Sequence, residues 1–337
     1  TRKESSAASD VYKRQINGVE EADFILLIGT NPRYEATILN ARIRKSYQQN
    51  KTKILSLTDV GDLTYPYESL NGNIENIKNI VEDNHNISNL IKTSKKPLVI
   101  IGQSVLKSNS AQCIFESMKS FLKKNNKMSD EWNSFNVISE NASTVGSYDL
   151  GLYKTKNGAN EILQNLENHK YEIVYLLGQD KLKFKKKDEF IIYQGSHGDN
   201  GAEIADIILP GAAYTEQNGY YTNLEGKLQK AYKASYPPEE AKEDWQIINE
   251  LAEVMNHRKL FNDKDELDSS LLNQINLYLE KDTAKQNQDV NDFKFEKEFL
   301  DINIEDYYYS NVIARASKTM FECKNAKTNL KLTGTEG

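Results

Sequence analysis

The 337-residue chain is long enough for two or three domains and, with 38% hydrophobic residues, for a sizeable buried core. Its net charge of −6 argues against nucleic acid or an anionic membrane surface as the main partner, and no apolar run approaches the roughly 20 residues of a membrane span. Its two cysteines and four histidines are scattered, which excludes a disulfide framework and predicts no zinc site or iron–sulfur cluster within this sequence.

The first stretch of the chain, TRKESSAASDVYKRQ, is polar, lacks periodicity and contains no recognisable targeting segment. We therefore expect residues 1–15 to be disordered and unrelated to the rest. The composition changes abruptly at Ile16, which predicts an α/β domain over 16–258, subdivided near residue 95. An irregular, helical carboxyl-terminal region is expected over 259–337.

A continuous apolar run, Phe24–Ile28, predicts a first strand that is buried on both faces and ends at Gly29. Asn31 is suited to cap the following helix, and Pro32 suits its first turn. A second short strand over 53–57 completes a βαβ unit, whose crossover we expect to be right-handed.

The pattern of an apolar strand closed by glycine recurs at Gly102 and Gly178. Such strands indicate parallel sheets, and ligands of open α/β proteins bind at the carboxyl ends of the strands. None of the three turns has the GxGxxG pattern and no P-loop occurs, so the glycines are predicted to serve packing and not a nicotinamide or nucleoside triphosphate. The further predicted elements are strands over 97–101, 136–139, 173–177, 190–194 and 229–236, and helices over 74–93, 111–124, 158–167 and 240–256.

The most informative stretch is IADIILPGAAYTEQNGYYTNLEGKLQK, residues 204–230. It opens as a predicted strand, 204–209, which Pro210 and Gly211 end. Polar residues packed densely between apolar ones are costly to bury unless hydrogen bonds satisfy them. This composition indicates a segment that serves, or once served, a pocket.

The order of residues in this stretch resembles the molybdopterin oxidoreductase superfamily. The resemblance implies an α/β fold with Rossmann-like parallel sheets. The superfamily usually has Arg where Lys227 stands, and Lys offers a point charge where Arg offers a planar fork of donors, which points to a pocket no longer used. The matching residues are Asp206, Leu209, Pro210, Glu216, Asn223, Glu225, Gly226, Lys227 and Gln229.

Several longer stretches resemble, in collinear order, the large iron–sulfur subunit family of respiratory complex I, especially its mitochondrial form. They are GVEEADFILLIGTNPRYEATILNARIRKSY (18–47), DLTYPYESL (62–70), KKPLVIIG (95–102), FIIYQGSHGDNGAEIADIILPGAAYTE (190–216), PPEEAKEDWQII (237–248) and the tail 304–323.

This resemblance implies a subunit of the proton-translocating NADH:ubiquinone reductase, in the matrix-facing arm at the mitochondrial inner membrane, with other peripheral-arm subunits as partners. It implies no cofactor in this chain, because the family's [2Fe-2S] and [4Fe-4S] clusters are held by cysteines that have no counterpart here. The implied role is a non-catalytic scaffold that docks neighbouring subunits.

The pterin pocket of the superfamily is expected to be vestigial and empty, with no catalytic and no metal-binding residue. A pterin nucleotide needs backbone N–H donors at strand ends and polar side chains for its phosphates and guanine. The turn Gly29–Pro32 and the loop 195–201 are the two segments expected to have supplied such groups. The candidate pocket residues are Gly29, Asn31, Pro32, Pro210, Glu216, Asn223, Glu225, Gly226 and Lys227.

Three other features suggest sites, each with a plainer interpretation. His197 and Asp199 suggest a metal or proton relay, but loop capping is favoured. A lysine cluster suggests an acidic partner, but a solvated loop is favoured. Tyr307–Tyr309 suggests a subunit contact as readily as core filling. The lysines are Lys181, Lys183, Lys185, Lys186 and Lys187.

Two other functions stay open on the sequence alone. One is part of an active molybdenum or tungsten oxidoreductase, which stoichiometric metal and pterin would reveal. The other is a freestanding α/β binding module, which would fold alone as a stable monomer.

Overall fold

The computed structural model describes residues 16–129, 131–139, 141–142, 144–152, 158–179, 182, 184–198, 200–255, 258–282, 294–302 and 309–332. They form two compact units. The described part of the first unit comprises residues up to Val145, the segment 222–227 and the segment 294–302. The second unit comprises the other described residues.

The first unit is built on a five-stranded parallel sheet in the order β3-β2-β1-β4-β5. The chain runs from β1 outward to β3 and then returns to place β4 on the other side of β1. The direction in which successive strands are added to the sheet therefore reverses between β1 and β4, and we call this point the strand-order reversal. The strands are β1 Phe24–Ile28, β2 Lys53–Ser56, β3 Glu68–Ser69, β4 Pro97–Ile101 and β5 Phe135–Val137.

Helices cover both faces of this sheet, which explains why its central strands are apolar throughout. All five residues of β1 are buried: Leu26 and Ile28 face one apolar cluster, while Ile25 and Leu27 face another. Burial of each such side chain contributes about 1.5–3 kcal/mol. The helices of this unit are α1 Pro32–Glu35, α2 Thr37–Asn50, α3 Glu75–Val81, α4 Asn86–Thr93, α5 Gln103–Leu106 and α6 Ala111–Lys124, preceded by a 3-10 helix, Ile16–Glu21.

The second unit contains a three-stranded parallel sheet in the order β6-β7-β8, with β6 Ile173–Leu177, β7 Phe190–Gly195 and β8 Ile207–Pro210. Successive right-handed crossovers in one direction lie on one face of a sheet. One face here packs on Phe184, Ala202 and other residues of both connections.

The opposite face of the second sheet is only partly covered: Gln194 is buried on it, whereas several apolar side chains of the same face are exposed. Strand register puts Ile173 beside Phe190 and Ile192 beside Ile207. Parallel sheets usually have both faces covered. We call Ile173, Leu177, Phe190 and Ile207 the open face; these side chains are 65%, 50%, 43% and 45% exposed.

A two-stranded hairpin, β9 Gly219–Thr222 and β10 Leu228–Ala231, follows the second sheet. No described helix is long and apolar enough to cross a membrane. The remaining helices are α7 Thr144–Asp149, α8 Gly158–Glu167, α9 Asn200–Glu203, α10 Asp244–Val254, α11 Lys264–Asp282, α12 Val312–Ala316 and α13 Lys318–Leu332.

The parallel α/β fold predicted from the strands closed by glycine is confirmed, and so are the Asn31 cap and the position of Pro32. The predicted helix over 74–93 is wrong as a single element, because Asp83 adopts a left-handed φ of 70° between α3 and α4. The strand predicted from Ile204 begins only at Ile207.

Two predictions after residue 228 also need correction. The strand expected over 229–236 is shorter and ends at Ala231. The helix expected over 240–256 is α10, which begins after Glu243 because Glu243 and Gln246 form a capping box. Its buried residues are Ile247 and Asn249, whereas Leu251 is 36% exposed.

Candidate functional site

The reversal of strand order between β1 and β4 is where an open α/β sheet ordinarily holds its ligand. The turn after β1 begins with Gly29, whose φ of 60° favours glycine. The turn after β4 begins with Gly102, whose N–H donates to Ile28 O at 2.8 Å. Two of the glycines singled out in the sequence thus lie side by side at this point.

The space between these two turns is filled by the protein itself. A Cβ atom added to Gly102 would overlap the carbonyl oxygen of Gly29. One added to Gly29 would lie 2.6 Å from Cγ2 of Val105 and 2.7 Å from Cδ2 of Leu300. Both glycines are therefore required for close packing, as predicted, and no room is left for a ligand beside Gly29.

Asn31 uses its polar groups within the turn. Its Oδ1 accepts the N–H of Arg33 at 3.1 Å, and its Nδ2 donates to the carbonyl of Val60 at 2.9 Å. The Glu35 carboxylate accepts from the Asn31 N–H at 2.5 Å and from Thr30 Oγ1 at 2.6 Å. Pro32 is buried as the first residue of α1. These contacts fix the turn and occupy the donors that a phosphate would need.

Pro210 and Glu216 lie in the second unit and serve its loops. The carbonyl of Pro210 accepts the N–H of Lys242 at 3.2 Å. The Glu216 carboxylate accepts the N–H of Ala213 at 2.9 Å, and the Glu216 N–H donates back to the carbonyl of Ala213 at 2.8 Å. Glu216 therefore closes a local turn.

The remaining predicted pocket residues form the tip of the β9–β10 hairpin. Asn223 Oδ1 accepts the N–H groups of Glu225 at 3.0 Å and Lys227 at 2.9 Å. Gly226 has a φ of 75°, which the turn requires, and the Lys227 side chain is exposed. The Glu225 carboxylate accepts the N–H of Ile16 at 2.8 Å. The residues NLEGK therefore form and stabilise the hairpin turn.

Leu224, at the centre of this tip, lines a cavity of about 110 Å³ in the first unit. The cavity lies on the Ile25 side of the first sheet, among residues of β4, β5 and α2, whereas Gly29 contacts Val105 and Leu300 of the opposite cluster. Within this unit, the hairpin tip and the Gly29 turn therefore do not form one site.

A polar network in the second unit was not predicted. Gln194, fully buried at the end of β7, donates to Asp244 Oδ1 at 2.8 Å, and Gln217 Nε2 donates to Asp244 Oδ2 at 3.1 Å. The Tyr175 hydroxyl donates to the Gln194 side-chain oxygen. A glutamine at the end of a buried strand was the available sequence signal. The Asp244 carboxylate is satisfied from both sides, so the network holds α10 to the sheet.

The tyrosines near this network are not poised for proton transfer at neutral pH. Burial raises the pKa of Tyr175, and the Asp244 carboxylate raises it further. Burial likewise raises the pKa of Tyr221, with smaller contributions from Tyr214 and Asp244. Both phenols stay protonated and act as hydrogen-bonding groups.

Two of the minor candidates, His197 and Lys186, make local contacts. His197 Nδ1 lies 3.0 Å from Ser196 Oγ, and Lys186 pairs with Asp206 at 2.5 Å. The Asp206 carboxylate also accepts the N–H of Ile191 at 2.8 Å, which with Lys186 lowers its pKa. Among the described residues, no group of three or more His, Cys, Asp or Glu side chains is placed to hold a metal. Asp199, Lys181, Lys183, Tyr307 and Tyr308 lie outside the described residues.

The geometry at the strand-order reversal does not fit a pterin nucleotide. Such a ligand needs open backbone donors and space at the turn. Here Leu300 and Val105 fill that space, and Asn31 is engaged with Arg33 and Val60. We therefore derive no chemistry through a molybdenum cofactor.

The family model described as molybdopterin oxidoreductase matches residues 2–254, beginning ahead of the Ile16 boundary predicted from composition. The chain belongs to the molybdopterin oxidoreductase family. A second family model, for the C-terminal part of the NADH-ubiquinone oxidoreductase G subunit, matches residues 274–323.

Three curated relatives show which kind of protein the chain is similar to. The chain is 38% identical over 315 residues to the NADH-ubiquinone oxidoreductase 75 kDa subunit of Reclinomonas americana, covering 91% of this chain and 45% of the relative. It is 36% identical over 328 residues to the NADH-quinone oxidoreductase G subunit of Rickettsia bellii, covering 96% and 47%. It is 34% identical over 335 residues to the mitochondrial NADH-ubiquinone oxidoreductase 78 kDa subunit of Neurospora crassa, covering 94% and 43%.

The chain therefore spans less than half the length of these relatives. The matches confirm the resemblance to the large complex I subunit that the sequence motifs predicted.

Proposed function

We propose that this chain is the molybdopterin-oxidoreductase-like part of the large iron–sulfur subunit of respiratory complex I, and that it is a non-catalytic scaffold with a vestigial pterin pocket. The complete protein would take part in proton-translocating electron transfer from NADH to ubiquinone. Its [2Fe-2S] and [4Fe-4S] clusters would be held by residues that this sequence does not contain, and it would lie in the matrix-facing arm at the mitochondrial inner membrane.

One observation carries the scaffold proposal: the ligand position at the strand-order reversal is filled by Val105 and Leu300. A ligand of an open α/β sheet ordinarily occupies this position, so a cofactor bound there would need the space that these side chains fill. The candidate pocket residues are also engaged locally, as Asn223 is in its hairpin and Glu216 in its turn. Their hydrogen bonds account for polar residues that suggested a pocket in the sequence.

The open face of the second sheet supports the docking role. Apolar side chains that are 43–65% exposed on a parallel sheet are costly to leave in water, so cover is expected in an assembly. The relatives are named as subunits, which makes neighbouring peripheral-arm subunits the proposed partners.

Two measurements on the native full-length protein test the proposal. Antibodies against it should recover other complex I subunits, and recovery of none would refute the docking role. Metal and pterin analysis of the purified protein should find no stoichiometric molybdenum, tungsten or pterin. Finding them would refute the vestigial pocket.

A further inference from the structure

A short segment distant in sequence closes the carboxyl end of the first sheet. We call residues 294–302 the strap. The N–H of Leu300 donates to the carbonyl of Gly72 at 2.8 Å, and the N–H of Ile74 donates to the carbonyl of Glu298 at 3.3 Å. Asn73 and Phe299 form an antiparallel bridge between these two bonds. The strap is therefore paired with the loop that follows β3.

A second anchor joins the strap to the start of α6. The Glu298 carboxylate accepts the N–H of Ser110 at 2.9 Å, and the hydroxyl of Ser110 accepts the N–H of Glu296 at 3.0 Å. Ser110 is fully buried. This reciprocal pair ties the strap to the start of α6, so Glu298 links the loop after β3 with that helix.

The anchoring of the strap places the Leu300 side chain in the apolar core. It is 7% exposed and belongs to the apolar cluster of Leu26, Ile28 and Val105. Its Cδ2 lies 2.7 Å from the position that a Cβ of Gly29 would take. Adjacent Phe299, by contrast, is 74% exposed. The strap thus directs one apolar side chain to the strand-order reversal.

The strap and the residues that it contacts match different family models. Gly29, Gly72 and Ser110 lie within residues 2–254, which match molybdopterin oxidoreductase. The strap lies within residues 274–323, which match the carboxyl-terminal model of NADH-ubiquinone oxidoreductase. Of the two side chains that fill the ligand position, Leu300 therefore comes from outside the part of the chain that matches the molybdopterin oxidoreductase model, whereas Val105 comes from within it.

We propose that the strap is a built-in plug: this carboxyl-terminal segment occupies the former cofactor position, with Leu300 standing where ligand atoms would approach Gly29. This inference rests on the proposed scaffold function and names the occupant of its vestigial pocket. It makes the strap a steric block that keeps the fold from accepting a pterin nucleotide.

Hydrogen exchange on the full chain tests the plug. In the wild type, the amides of Ile74, Ser110 and Leu300 should exchange slowly. Leu300→Ala should speed their exchange at least about tenfold by opening the strap locally, while the Leu26 amide in β1 changes much less. Phe299→Ala is the matched control and should leave all four amides within about threefold of the wild type, because its side chain is exposed.

Glu298→Ala is a second variant, should Leu300→Ala fail to fold, and should raise exchange at Ser110 above all. The plug is overturned if the wild-type amides of Glu296 and Leu300 exchange like open chain, or if Phe299→Ala and Leu300→Ala behave alike. That failure would leave the scaffold proposal standing. Stoichiometric pterin in the native protein would instead overturn the scaffold proposal, whatever the exchange rates.

Discussion

At the residue scale, Asn223 shows how a residue of the predicted pocket stabilises a turn. Its side-chain oxygen receives two backbone N–H groups within five residues, an arrangement that Asn favours because its short amide reaches its own backbone. Gly226 supplies the left-handed φ that this tip needs. These turn contacts account for Asn223 and Gly226 without a ligand.

Asn223→Ala should destabilise the protein by about 1–2 kcal/mol, because it leaves two turn N–H groups without their acceptor. The matched control is Lys227→Arg, which restores the usual family residue at an exposed position of the same turn and should change stability by less than about 0.5 kcal/mol. Urea denaturation measures both. A large effect of Lys227→Arg would show that the side chain at 227 still has a specific role.

Glu189 is a second residue whose environment has a measurable consequence. The N–H of Lys187 donates to its carboxylate at 2.7 Å, and His169 Nδ1 lies 2.5 Å from the other oxygen. The backbone N–H groups of Lys187 and of Glu189 itself have the largest effect, followed by His169. Together they lower the pKa of the Glu189 carboxyl from 4.5 to about 2. The ionised form is thus favoured in the folded protein.

A folded pKa below the unfolded one stabilises the protein above the unfolded pKa, and this contribution is lost as the pH falls through the folded pKa. The difference in unfolding free energy between wild type and Glu189→Gln should therefore be constant above pH 5 or so and shrink between about pH 4.5 and about pH 2. Denaturation across this range measures it. Parallel pH profiles for the two proteins would contradict the assignment.

At the scale of elements, the Asp244 network determines how α10 meets the second sheet. Asp244 is the first residue of α10, and both of its oxygens accept from glutamine amides contributed by β7 and the loop after β8. A buried network of this kind stabilises only when every member is satisfied. The network therefore fixes the start of α10 to β7 and to the loop after β8.

Asp244→Asn should cost about 1–3 kcal/mol, since one amide N–H2 would then face a glutamine donor. Asp265→Asn, an exposed change in the first turn of α11, serves as the control and should cost less than about 0.5 kcal/mol. Thermal unfolding compares the two. Equal losses would mean that the network does not hold α10.

The sequence was most informative where local rules decide the structure. Continuous apolar runs predicted β1 and β4 with their bounds, because strands buried on both faces leave no other pattern. The bounds of β6 were also predicted from its apolar run, although one of its faces is exposed. The cap at Asn31 followed from side-chain chemistry. The break at Asp83 was missed because a left-handed φ at a single Asp leaves the apolar spacing on either side unchanged.

The candidate site was less predictable, because its members meet through tertiary contacts. No residue near Gly29 in the sequence indicates that Leu300 packs against it. The Gln194–Asp244 contact likewise joins residues separated by 50 positions. Asn31, Glu216 and Asn223, predicted as pocket residues, make hydrogen bonds within local turns. Whether they ever served a ligand stays a prediction.

At the scale of the whole molecule, the open face of the second sheet is the feature most at odds with an isolated existence. Ile173 and Ile207 are 65% and 45% exposed on a sheet type that is normally covered. Such a surface favours association with a partner or, without one, with other copies of the chain.

The chain produced alone should therefore self-associate in a concentration-dependent way, and Ile173→Thr with Ile207→Thr should weaken this association at least about threefold by removing apolar area. Threonine keeps the strand preference of these positions. Sedimentation velocity over a range of concentrations measures the effect. The control is Val254→Thr, at a 79% exposed position at the end of α10, which should leave association unchanged.

The strap also sets the order of events while the chain is being made. Glu298 and Ser110 are 188 residues apart, so the first sheet emerges from the ribosome long before its closing segment. At about 5–20 residues per second, the carboxyl end of that sheet waits roughly 10 to 40 seconds with Val105 and Ile28 uncovered. Over that interval the nascent first unit exposes apolar surface of the kind that chaperones bind. Ribosome-bound chains stalled before residue 300 should therefore be markedly more sensitive to protease than those stalled well after it.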